Sequence, residues 1–125
     1  MKLLSDLYSG SLALLTDLYQ LTMSYGYWKS GKANQEAVFN LFFRENPFNG
    51  GYTVACGLEY AIDYIENFKF TEKDLQYLLE MKGNDGQPLF EPDFISFLSQ
   101  MKFECDIDAV PEGTLVFPHE PMIRV

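Results

Sequence analysis

Asp17, Tyr19 and Arg44 are the residues of this chain whose types and spacing could do chemistry. A tyrosine on a helix face that its own core does not use can lie flat against a heteroaromatic ring. An arginine at the end of a strand can hold a phosphate through two parallel hydrogen bonds. Asp17, two residues before Tyr19, adds a carboxylate at the start of the same helix. Each also has a plain role. Asp17 favours helix initiation, Tyr19 is a core aromatic with its hydroxyl at the edge, and Arg44 is a surface residue at a strand end. Both readings stay open on the residues alone. His119, between Pro118 and Pro121, reads as a solvated turn histidine. Gly50-Gly51 reads as a turn before it reads as a phosphate loop. There is no P-loop, dinucleotide-binding glycine fingerprint, HExxH or G-x-S-x-G. Cys56 and Cys105 have no partner at ligand spacing, so no metal site is expected.

The element that must position Asp17 and Tyr19 runs from Leu14 to Trp28. At helical period Leu18, Leu21, Thr22 and Tyr25 share one face, and Tyr19, Met23 and Tyr27 form a second apolar face. Asp17, Gln20 and Ser24 leave only a narrow polar stripe. A helix apolar nearly all round is a buried one, so this one should have two neighbours: its own core and something else. Thr16 is the expected cap, with Asp17 in the first turn, and Ser30-Gly31-Lys32 the expected stop.

Arg44 ends the run Glu36–Arg44, whose aromatic residues on both sides read as a strand buried on both faces. The turn Asn46–Gly51 leads to a short strand, Tyr52–Ala55, expected antiparallel to the first. Gly57 opens a one-sided helix with Leu58, Ala61, Ile62 and Ile65 inward and Glu59, Asp63 and Glu66 outward. Thr71 and Asp74 have the capping-box spacing, with Phe70 placed to staple onto Leu75. Pro92 fits the first turn of another helix, with Phe94, Phe97, Leu98 and Met101 inward. Short strands follow at 106–110, 114–117 and 122–125. The order α β β α α α β β β is that of an α+β domain whose last strands would pair further along the chain.

Composition bounds the partners. The chain has 125 residues, 47% hydrophobic, with a net charge of −9. That fits one folded domain and argues against a broad nucleic-acid or anionic-membrane surface; an anion would need a local pocket of a few basic groups. No run is long and apolar enough to span a membrane. The two isolated cysteines read as reduced thiols, so a cytoplasmic location is expected. The last residues, Met122–Val125, lie inside an apparent strand, which predicts that the chain is part of a longer protein.

Three blocks carry a family resemblance: Leu14-Leu15-Thr16-Asp17-Leu18-Tyr19-Gln20-Leu21-Thr22-Met23 with Tyr25-Gly26-Tyr27-Trp28; Phe39-Asn40-Leu41-Phe42-Phe43-Arg44-Glu45-Asn46-Pro47-Phe48 with Gly50-Gly51-Tyr52 and Gly57-Leu58-Glu59; and Val110 to Pro118 with Glu120-Pro121. In this order they resemble the opening of nicotinate phosphoribosyltransferases. The resemblance implies an N-terminal α/β domain of a type II phosphoribosyltransferase over residues 14–125, after an arm at 1–13. Its sheet would be incomplete and its barrel domain absent. It implies formation of nicotinate mononucleotide from nicotinate and phosphoribosyl pyrophosphate, with Mg²⁺ and ATP used by the full-length enzyme. It implies a homodimer with a shared active site, which would account for the second apolar helix face. Tyr19 resembles the tyrosine that stacks on the pyridine ring, Arg44 the arginine that reaches the phosphates, and Asp17 an aspartate at the site edge. The histidine that the family phosphorylates has no counterpart here, and this stretch alone is expected to be inactive, with no catalytic residue and no bound cofactor of its own. A nicotinamide- or quinolinate-type domain, or a non-catalytic dimerisation module, is the alternative.

Overall fold

The computed structural model describes residues 7, 8 and 10–125. Of the expected N-terminal arm and its Ser9-Gly10-Ser11 joint, residues 1–6 and Ser9 lie outside the described residues. Ser11 is tied down: its hydroxyl donates to Lys69 O at 2.8 Å and accepts from Ala13 N–H at 3.0 Å. The elements follow the expected order: α1 (Leu18–Lys29), β1 (Asn40–Leu41), a 3₁₀ turn (Pro47–Asn49), β2 (Thr53–Val54), α2 (Leu58–Glu66), α3 (Glu72–Glu80), α4 (Pro92–Gln100), β3 (Asp108–Ala109), β4 (Leu115–Val116) and β5 (Ile123–Arg124). The described strands close no barrel. The chain divides into two units, Met1–Gln35 with Tyr64–Phe103, and Glu36–Asp63 with Glu104–Val125.

The first unit is helical and owns the larger core. Leu78 of α3, Phe90 before α4, and Phe94 and Leu98 of α4 are buried, and Leu21, Tyr25 and Trp28 of α1 pack against them. Tyr25 and Trp28 reach Phe94 with ring centroids 5.1 and 5.5 Å away, in tilted arrangements. Phe70 and Leu75, the expected staple pair, lie on the same cluster. Beside it, Lys29 pairs with Glu91 at the surface. This hydrogen bond raises the lysine pKa and lowers that of the carboxyl. Such an exposed pair adds little stability.

The local signals at α3 and α4 hold in detail. Asp74 Oδ2 accepts from Thr71 N–H at 2.8 Å, and Thr71 Oγ1 accepts from Asp74 N–H at 3.3 Å, the reciprocal arrangement expected. Pro92 is the first residue of α4. Replacing Thr71 with alanine removes one half of this cap; a fall in stability of about 1 kcal/mol is the expected result, read from the denaturant midpoint.

The second unit carries both sheets. In the three-stranded sheet β5 lies between β1 and β3, antiparallel to each, with Asn40 and Asp108 both opposite Arg124. β2 pairs with β4, Thr53 opposite Val116. One expectation is corrected here. β1 and β2 do not form a hairpin: the turn between them passes through Phe48 and Asn49 at φ 57° and 55° and sends β2 to a different sheet. Of the last strands, β5 is paired on both sides, whereas β3 and β4 each keep one edge free of any described strand, so both sheets are open.

The apolar run around β1 is also not buried on both faces. Val38, Phe39, Leu41 and Phe42 are exposed, because β5 satisfies the backbone of this run but no described side chains cover it. On α2 the inward face is rotated from the one expected: Asp63 is buried and Ile62 exposed.

Candidate functional site

Tyr19 stands in the second position of α1. The helix turns Leu21, Tyr25 and Trp28 to the core, so Tyr19, Met23 and Tyr27 face outward and are 59%, 50% and 53% exposed. The second apolar face expected from the sequence is therefore open. Leu18, expected on the inner face, also lies outside. No residue of α1 is fully buried: its own core packs one side, as expected, and the neighbour expected on the other is not among the described residues.

Asp17 is the N-cap of α1 and not a residue of its first turn; Thr16 stands one place earlier. The Gln20 side chain turns back, its Oε1 accepting from Asp17 N–H at 3.2 Å and from the Thr16 hydroxyl. This fixes the helix start and so the direction in which Tyr19 leaves the backbone. At the other end Gly31, at φ 71°, stops the helix while Lys32 N–H donates to Tyr27 O at 2.8 Å.

Arg44 belongs to the second unit. The pairing of β1 and β5 continues past both: Phe39 and Val125 exchange both backbone bonds at 2.9 Å, Met122 N–H donates to Leu41 O at 2.8 Å, and His119 N–H donates to Phe43 O at 2.8 Å. Arg44 follows at once, exposed, with no ion pair or hydrogen bond among the described residues. Its guanidinium thus keeps its donors available. The structure brings Asp17 and Tyr19 together at one helix start and places Arg44 at a strand end of the other unit.

The structure adds features that the sequence reading left aside. Glu112 Oε1 accepts from Gly57 N–H at 2.8 Å and Leu58 N–H at 2.7 Å, capping α2 from across the second unit. An apolar cleft of about 120 Å³ lies there, bordered by Leu41, Leu58, Ala61 and Met122. Cys56 and Cys105 are free and exposed. Among the described residues there is no cluster of three or more His, Cys, Asp or Glu side chains that could hold a metal ion. No described helix is long and apolar enough to cross a membrane.

These features define the class: an α+β module with an open sheet and an uncovered aromatic helix face. Residues 14–125 match the family model described as the nicotinate phosphoribosyltransferase (NAPRTase) N-terminal domain, and the chain belongs to that family. It is 47% identical over 115 residues to nicotinate phosphoribosyltransferase of Bacillus subtilis, covering 92% of this chain and 22% of that protein. With the Caenorhabditis elegans protein of the same name it shares 43% over 113 residues, covering 90% and 19%. The crystal structure of human nicotinic acid phosphoribosyltransferase superposes with a TM-score of 0.72 at 37% identity, over 87% of this chain and 21% of that one. The chain thus spans about a fifth of the length of the curated relatives it matches.

Proposed function

We propose that this chain is the N-terminal part of an enzyme that joins nicotinate to the ribose of phosphoribosyl pyrophosphate. The ring nitrogen forms a bond to the anomeric carbon as the bond from that carbon to pyrophosphate breaks. Pyrophosphate leaves with the electron pair, and nicotinate mononucleotide is the product. ATP hydrolysis is coupled to turnover, and the reaction returns nicotinic acid to NAD. Family membership over residues 14–125 is the observation that carries this reading. The chain alone is inactive, and Mg²⁺ and ATP serve the full-length enzyme. The metal would neutralise the leaving pyrophosphate and is held outside these residues.

In this reading the bare face of α1 meets a second subunit in a homodimer with a shared active site, and Tyr19 stacks on the nicotinate ring. Its 59% exposure on an apolar face supports that role. Arg44 holds the phosphates of the second substrate, and Asp17 borders the site while setting the start of the helix. The enzyme works in the cytoplasm, in keeping with two free thiols.

Tyr19→Ala in the full-length enzyme tests the reading. Loss of one stacked ring costs about 1–3 kcal/mol, so the KM for nicotinate rises roughly five- to hundredfold while folding is retained. An unchanged KM for nicotinate overturns the role of Tyr19.

A further inference from the structure

We infer that His119 is a second anion-holding group beside Arg44, contacting a phosphate or pyrophosphate group through its imidazole N–H; this rests on the phosphate-binding role proposed for Arg44. Phe117 to Glu120 is a tight turn, with Glu120 N–H donating to Phe117 O at 3.2 Å and Glu120 Oε2 accepting from Phe117 N–H at 2.9 Å. Pro118 is its second residue and His119 its third, at φ 67°. This is the place in a proline-initiated turn where glycine is favoured, since a side chain at positive φ is strained. A histidine is less usual there than glycine or asparagine.

The turn is held against the end of the β1 run. His119 N–H bonds Phe43 O at 2.8 Å, and the His119 ring lies 5.8 Å from that of Phe42. Arg44 is the next residue after Phe43, at a bend, so the backbone of His119 is anchored one residue from the arginine. Charge points the same way. The second unit contains no lysine, and its other arginine, Arg124, is committed to Asp108. Arg44 and His119 are its remaining basic side chains, and both are exposed. In a chain of net charge −9, an anion held by this unit needs such a local pair.

The test uses the full-length enzyme with His119→Gly, His119→Asn and Arg44→Ala. Glycine relieves the strained turn, and asparagine tolerates it. Both variants are expected to raise the KM for phosphoribosyl pyrophosphate three- to tenfold, with a smaller change in kcat, in KM for nicotinate and in Tm. If Arg44→Ala raises that KM and both His119 variants leave it unchanged, this inference fails and the role of Arg44 stands. If Arg44→Ala leaves it unchanged, the role of Arg44 fails and this inference falls with it. A KM rise found only together with a lowered Tm in both His119 variants marks a structural role and also overturns it.

Discussion

Under the proposed function, replacing Arg44 with alanine in the full-length enzyme is expected to raise the KM for phosphoribosyl pyrophosphate about ten- to hundredfold, the equivalent of the roughly 1.5–3 kcal/mol of a charge-assisted hydrogen bond. The effect should fall on this substrate, because the guanidinium makes no ion pair or hydrogen bond among the described residues. Stability should stay within about 0.5 kcal/mol, as for other surface changes. Arg44→Lys restores charge without the planar two-pronged geometry and should recover only part of the loss. Steady-state kinetics with phosphoribosyl pyrophosphate varied, beside a thermal melt of the same preparations, checks both halves. A lowered melting temperature with an unchanged KM returns Arg44 to a plain surface role.

Phe94→Ala is expected to have the largest effect on stability. Phe94 is fully buried, and its ring meets those of Tyr25, Trp28, Phe90 and Phe97 at centroid distances between 5.1 and 6.3 Å. Truncation leaves a cavity where four aromatic residues converge, at a cost of about 3–5 kcal/mol. That is a large part of the roughly 5–15 kcal/mol that holds a domain folded. Trp28 is the only tryptophan and touches this core, so its emission reports the first unit. A fall of several kcal/mol in the unfolding free energy read from Trp28 is the expected result. A loss below about 1 kcal/mol would mean that α1 and α4 are not held together by this ring.

How much of this was legible in the sequence divides along a physical line. Signals confined to a few neighbouring residues were readable. The Thr71–Asp74 cap, Pro92 at a helix start, Gly31 at a helix end and the open face of Tyr19, Met23 and Tyr27 all follow from local spacing. The order of elements was readable for the same reason. Strand partners were not. Period-two patterning says that a stretch is extended but not what it pairs with, so β1 was joined to its neighbour β2 when its partner is β5. The aromatic run around β1 reads as a strand buried on both faces, yet no described side chain covers it, because aromatic content marks a tendency to be buried and not the partner that buries it.

At the site, Tyr19 and Arg44 stood out by type and position. Asp17 was placed one step too far into its helix because Thr16 is an equally good cap. His119 is legible as an exposed turn histidine from its flanking prolines, whereas its left-handed conformation and its bond to Phe43 depend on the folded backbone.

The placement of β5 has a consequence for synthesis. The strand that joins β1 to β3 is made after both of them, and the segment Tyr64–Phe103, with its local helix contacts, emerges in between. On a ribosome the helical half can therefore settle early, by quick short-range steps. The other half holds Phe39 and Phe42 unpaired until Met122–Val125 leave the exit tunnel. During that wait the nascent chain carries a greasy, unzipped edge, the kind of surface that favours aggregation.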